Sequence, residues 1–345
     1  MKRLLLATSA SIVLCQPVSE QVWASQINNQ PNPQTAQTMG SVCAGRSDIS
    51  EEGASALKIA TFFSQKEKVK TLLFDKCVAF DQNEKKPGGN PIAFFSKDPE
   101  TFNYFLNRGF NPASTEVNDP KRKNILMFRI EMADRMTGAN KPTAGSVPTE
   151  ELKKIKAKTG LDFQSLSERD LNSASDNDLT RALLTQLPAD LLSKTDGDRN
   201  NTLHYAIQYQ RPEWVKIILS RNKDTVDQLN RYGLTPIDLI WKAPCGSAKV
   251  KKETAATVLE ATPPEVLNKK HSVRVWEYIS LSPANYAVLL KDLAPTTSSL
   301  VKAKLTNQDW SNAEAEIERY KRVYPTKLLE IQNRLMNNTD EGVCN

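Results

Sequence analysis

The sequence predicts an all-α chain built from repeated pairs of short helices joined by tight turns. Three observations carry this expectation. Apolar residues recur at helical spacing, as in Ala54, Leu57, Ile59, Ala60 and Phe63 and again in Val69, Leu72 and Leu73. Between these two stripes Ser64-Gln65-Lys66-Glu67 has the form of a capping box, which starts a second helix where the first stops. Further on, a segment repeats itself at a step of 34 residues, which aligns Leu203 with Ile237. Self-similarity at a period of a few tens of residues means stacked units, none of which buries its apolar face alone.

In chain order, Lys2 and Arg3 precede an apolar run from Leu4 to Cys15, and Ala24 and Val22 stand one and three positions before a cleavage point, where small residues are wanted and Val is tolerated. That order predicts a signal peptide over 1–24 and a periplasmic or secreted protein. The run is too short to remain as a membrane-spanning helix, and Val13-Leu14 before Cys15 departs from a lipid-attachment signal. Residues 25–46 are rich in Gln, Asn, Pro and Thr and read as a disordered linker. The stack of helix pairs is expected over 47–300 and a helical cap over 301–345.

Within the stack, Asn90-Pro91-Ile92 runs on to a helix over Phe102–Asn107, with Gly109 as its left-handed cap. Asn124-Ile125-Leu126 opens the next unit. Its second helix is expected late, at Thr149–Lys158 before Gly160, after an insertion over Met136–Pro148. Leu179 to Leu192 reads as a degenerate unit broken at Pro188. Beyond Pro244-Cys245-Gly246-Ser247, a helix through Ala255, Val258 and Leu259 precedes a divergent pair at Trp276–Ile279 and Tyr286–Leu293. A last helix, capped at Ser311-Asn312-Ala313-Glu314, has Ile317, Tyr320 and Val323 on its apolar face. Pro325 interrupts it, and Leu328, Leu329, Ile331 and Leu335 follow. Terminal units of a stack are expected to be atypical.

The stretch Asn230-Arg231-Tyr232-Gly233-Leu234-Thr235-Pro236-Ile237-Asp238-Leu239 resembles the ankyrin repeat, in which a Gly-containing turn runs into Thr-Pro-Leu-His. One unit earlier, Asn201-Thr202-Leu203-His204-Tyr205-Ala206 and the helix Trp214–Leu219 resemble the same unit. The resemblance implies an ankyrin-repeat solenoid of about five to six helix-pair units with the divergent helical cap. It also implies that His204 is a stacking residue, while Pro236 suits a first helical turn and Gly233 a tight one.

Cleavage of the leader leaves Cys43, Cys77, Cys245 and Cys344, an even set that allows three pairings. The preferred arrangement is Cys43 with Cys77, clipping the first helices, and Cys245 with Cys344, tying the tail to the stack. Each would constrain the unfolded chain by about 3–5 kcal/mol in the loop-entropy picture. No short spacing suggests zinc, so no metal or cofactor is expected.

Chemistry is poorly represented. The chain has two histidines, His204 and His271, and lacks a nucleophile elbow, a phosphate loop and a His-Glu-x-x-His pair. Lys85-Lys86-Pro87-Gly88-Gly89 lacks the Lys-Ser/Thr that a phosphate loop needs, and Glu51-Glu52 and Glu150-Glu151 suit helix starts. A non-catalytic binding module is therefore expected. In the ankyrin family, partners contact the finger turns and the exposed ends of first helices. Carried over, these positions are Lys85 and Lys86, Lys121-Arg122-Lys123, Asp198 and Asn200, Arg231, Tyr232 and Leu234, with Lys97, Gln208, Tyr209 and Lys242 at helix ends. Positive charge recurs among them, and the formal net charge is +6, so an acidic protein partner is expected, and no nucleic acid or membrane. The narrowest form is a monomeric immunity protein that occludes a delivered toxin. The alternatives are a secreted effector that binds host proteins, and a hydrolase with its site around Trp276, Tyr278 and Trp310.

Overall fold

The computed structural model describes Cys43 and residues 51–80, 91–115, 121–137, 149–161, 175–240, 248–269 and 281–336. Over these residues the chain is all-α, and no β-strand occurs among them. The α-helices are α1 (Glu51–Phe62), α2 (Lys66–Lys70), α3 (Pro99–Asn107), α4 (Ile125–Thr137), α5 (Thr149–Thr159), α6 (Ser175–Gln186), α7 (Asp190–Ser193), α8 (Thr202–Gln208) and α9 (Pro212–Arg221). They continue with α10 (Ala248–Ala261), α11 (Pro264–Leu267), α12 (Pro283–Leu289), α13 (Pro295–Ala303), α14 (Asn307–Val323) and α15 (Pro325–Met336). Helix α2 passes into a π-helical turn at Thr71–Asp75, and short 3₁₀ helices occupy Ile92–Phe95, Lys223–Thr225 and Pro236–Leu239.

Helix contacts fall into two rows. In one row α1 touches Ile92–Phe95, that turn touches α4, α4 touches α8, α8 touches Pro236–Leu239, and α12 touches α14. In the other row α2 touches α3, α3 touches α6, α6 touches α9, α9 touches α10, and α10 touches α13. Each element of the first row up to α12 is followed in sequence by an element of the second, with α5, α7 and α11 lying in the connections. Packing on several sides explains why α8 buries six of its seven residues, Thr202 to Ile207. By contrast, α14 sits at the end and buries only one stripe, Trp310, Ala313, Ile317 and Tyr320, at helical spacing.

The first units are held by phenylalanine. Phe94 packs at 6.2 Å edge-on to Phe110 and at 5.3 Å from Phe128, while Phe105 meets Phe80 at 5.3 Å and Phe102 meets Phe110 at 5.9 Å. Such edge-to-face pairs add to the gain from burying each ring. Cys43 and Cys77 are joined as a disulfide beside this cluster. Cys43 thus lies buried inside the stretch expected to be an unstructured linker. Cys245 and Cys344 lie outside the described residues, as do Trp276 and Tyr278.

Several local expectations need correction. The second helix of the unit opened by Asn124 is α6, which contacts both α3 and α9; α5 instead packs back against α1. The reason is amphipathic content. Among the described side chains of α5, Ile155 and Thr159 are buried and the lysines are exposed, too little apolar surface for a place between two helices. Residues 179–192 are accordingly not a separate unit. Ser64 does not build a capping box, since α2 has no side-chain cap. It takes φ +54° and closes α1 in a Schellman motif, with Gln65 N–H bonding Ala60 O and Ser64 N–H bonding Thr61 O. The same pair of bonds closes α3 at Gly109 (φ +87°) and α8 at Gln210 (φ +52°). Helix α14 starts before the expected Ser311 box, with the Thr306 hydroxyl accepting from Asp309 N–H. Val323 and Leu329, expected on apolar faces, are exposed. No helix among the described residues is long and apolar enough to cross a membrane.

Candidate protein-binding face

The turns that lead into the first-row elements share one construction. Asp196 Oδ1 accepts from the N–H groups of Asp198 and Asn200, at 2.9 and 2.7 Å. Asn230, 34 positions later, repeats this with Tyr232 and Leu234, at 2.9 and 3.1 Å. The fourth residue of each turn is left-handed, Arg199 at φ +62° and Gly233 at φ +72°, and Arg122 at φ +47° occupies the same place two residues before its helix cap.

A side-chain cap then starts each helix. The Asn124, Asn201 and Ser282 side chains accept from the N–H groups of Met127, His204 and Asn285. Reciprocally, His204 Nδ1 accepts from Asn201 N–H at 3.1 Å, Asp238 Oδ2 from Thr235 N–H at 2.9 Å, and Asn285 Oδ1 from Ser282 N–H at 2.9 Å. Three chemically different side chains thus perform one capping task. Cross-unit bonds accompany them. His204 Nε2 lies 3.3 Å from Leu234 O, Asn201 Nδ2 donates to Thr225 O at 2.9 Å, and Asn124 Nδ2 donates to Leu191 O at 3.4 Å. Burial holds His204 well below the usual histidine range, at about 4, with the Leu234 carbonyl a smaller opposing influence. The ring is therefore neutral at pH 7.

The turns are also tied to one another. Gly197 N–H bonds Lys121 O, Arg231 N–H bonds Asp198 O at 2.8 Å, and Asn230 Nδ2 donates to Asn200 Oδ1 at 3.1 Å. The three tips therefore form one continuous edge.

Along this edge the candidate contact residues meet different fates. Lys121, Arg122, Gln208, Arg231 and Tyr232 are exposed, with Tyr232 at 50%, and Tyr209 is half-buried and stacked on Tyr205 at 6.2 Å. Arg231 is not a solitary cation. It pairs with Asp198 at 2.7 Å and lies over the Tyr232 ring at 4.7 Å, bracing the aromatic side chain outward. Lys123 is buried and pairs with Glu131 at 2.7 Å, so it braces its unit from within instead of facing a partner. Leu234 is buried beneath its turn, and Asn200 is half-buried between Asp196 and Asn230. Lys97 is buried with its ammonium over the Phe62 ring at 5.3 Å. Lys123, Leu234 and Lys97 therefore leave the candidate face. Lys85, Lys86 and Lys242 lie outside the described residues.

Two features escaped the sequence reading. Arg199 is exposed at a tip, and the alignment of Asp196–Asn201 with Asn230–Thr235 would have found it. Ser282-Pro283-Ala284-Asn285 builds a third copy of the Thr235-Pro236-Ile237-Asp238 construction, visible in the shared Pro and flanking polar residues. Trp310, named for the hydrolase alternative, is buried in α14 under Lys302. Comparison of the chain with protein-family models, with curated proteins and with solved structures finds no match.

Proposed function

We propose that the chain is an exported stack of ankyrin-type helix pairs that binds an acidic protein partner, without catalysis, through the linked turns at 121–122, 196–200 and 230–233. The observation that carries the reading is the hydrogen-bonded succession of those turns. Because each tip is bonded to the next, their outward side chains form one pre-ordered surface instead of independent loops, and pre-ordering lowers the entropy cost of association. Tyr232, braced by Arg231, supplies the aromatic anchor that interface hot spots favour. The Cys43–Cys77 disulfide supports an oxidising compartment outside the cytosol.

A partner that suits this reading is a toxin delivered into the periplasm, whose active site the surface would occlude. The test is affinity capture from periplasmic extract of cells that carry the gene, with wild type and a Lys121→Glu, Arg122→Glu, Tyr232→Ala variant side by side. A partner captured by wild type and lost by the variant is the expected result. Equal capture by both overturns the assignment of this face.

A further inference from the structure

Five non-glycine residues among those described sit in the left-handed backbone region, namely Ser64, Cys77, Arg122, Arg199 and Gln210. Such a conformation carries a steric cost for any residue with a Cβ. Two of them have side chains occupied within the fold: Cys77 is in the disulfide, and Gln210 is buried and bonds Ile207 O. Ser64 is half-buried at the end of α1, with its hydroxyl turned into the fold. Arg122 and Arg199 differ. Both are exposed, both stand at the place where the neighbouring turn has Gly233, and neither has a side-chain partner among the described residues. Nothing inside the fold calls for arginine at either position.

The surrounding charge is sorted in the same direction. Asp196 is occupied by its own turn and by the Tyr205 hydroxyl at 2.8 Å, Asp198 by Arg231, and Glu131 by Lys123. These three carboxylates are thus engaged by partners of the same chain, while the two guanidinium groups on adjoining tips are exposed. The bond from Gly197 N–H to Lys121 O keeps those two tips side by side.

We infer that Arg122 and Arg199 form a paired carboxylate grip, each presenting its planar fork to an Asp or Glu side chain on one acidic segment of the protein partner. The inference rests on the binding reading above and narrows it to two residues and one ligand chemistry. Arginine suits the task because its fork meets a carboxylate through two parallel hydrogen bonds, which lysine cannot do.

The test uses the purified protein and a fluorescein-labelled twelve-residue peptide rich in Asp and Glu, followed by anisotropy at low salt. Arg122→Asn and Arg199→Asn remove the fork but keep a residue that tolerates the left-handed backbone. Each is expected to weaken peptide binding by about ten-fold, and the double variant by more. Melting temperatures should be unchanged or raised by up to about 2 °C, an outcome that a structural role for either arginine would reverse. Arg122→Lys and Arg199→Lys should retain only part of the affinity. Equal binding of the peptide by wild type and the double Asn variant overturns the grip, as does a preference for polyphosphate or for anionic lipid vesicles over the peptide. If those results coincide with loss of partner capture on Tyr232→Ala, the grip fails while the binding face stands.

Discussion

His204 offers the sharpest test of how these units are joined. In the folded chain its ring is fully buried, accepts from Asn201 N–H and faces Leu234 O in the next turn, and burial lowers its pKa from 6.5 to about 4. A group whose folded pKa is depressed and whose charged form is the acid favours folding when neutral. Its contribution is complete above the unfolded value of 6.5 and is lost as pH falls toward 4. In full the shift corresponds to about 3 kcal/mol, and between pH 7 and pH 5 the linkage amounts to about 2 kcal/mol. His204→Asn isolates this effect, because Asn285 already shows that an amide fills the capping role at the equivalent place. At pH 7 the variant should be less stable by about 1–2 kcal/mol, through the lost bond to Leu234 O and the space left by the ring. That carbonyl keeps a second donor, Asn230 N–H at 2.9 Å, so the loss falls at the low end for a buried acceptor. At pH 5 wild type has lost its advantage and the two proteins should converge. Urea unfolding at pH 7, 6 and 5, followed by the fluorescence of the buried Trp214 and Trp310, measures the difference directly. Because the carboxylates titrate in both proteins, their contribution cancels. A gap of constant size across the three pH values would refute a buried neutral histidine.

Two further outcomes follow from the same structure. Glu131→Ala breaks the buried ion pair with Lys123 and should cost about 3–5 kcal/mol in denaturant titration. Lys123→Met with Glu131→Leu should recover most of that loss without changing partner capture, because Lys123 does not reach the surface. Gln210→Gly should stabilise the chain by about 1 kcal/mol, since it relieves the left-handed backbone and removes Oε1, a buried acceptor without a partner. A lowered Tm for this variant would show that the Gln210 side chain contributes more through its bond to Ile207 O than its backbone conformation costs.

The all-α fold was legible because it is written at short range. Of the predicted stripes, Leu57, Ile59, Ala60 and Phe63 and then Val69, Leu72 and Leu73 are buried while Ala54 is half-buried, and Gly109, Gly160 and Gly233 adopt the left-handed turns that glycine marks. What was not legible depends on competition between segments. Thr149–Thr159 and Ser175–Gln186 both have helical periodicity, and only the number of neighbours each can satisfy assigns α6 to the row and α5 to the back of α1. Likewise Ser64-Gln65-Lys66-Glu67 has the right letters for a capping box. Its Ser was taken instead by the end of the preceding helix, because α1 and α2 are too close in sequence for both a C-terminal motif and a separate cap.

The charge of the candidate face was misjudged for a reason that can be stated as a positional rule. Counting Lys121, Arg122 and Lys123 equally treats the turn as a bundle of solvated side chains. In the structure, the left-handed position and the one after it differ in burial. At the left-handed position Arg122 and Arg199 are exposed and Gly233 is half-buried. The next position, occupied by Lys123, Asn200 and Leu234, faces the helix row and is buried or half-buried in all three turns. An ammonium, an amide and an isobutyl group thus share one inward site, each satisfied by what its unit offers: Glu131 for Lys123, Asp196 and Asn230 for Asn200, and apolar packing for Leu234. The inward site tolerates chemical variety because it needs only a filled volume and satisfied polar atoms. The outward site needs neither, so the two arginines there are the residues whose presence the fold does not explain. Partner chemistry is therefore to be read from positions 122 and 199, and the lysine that follows Arg122 belongs to the account of stability.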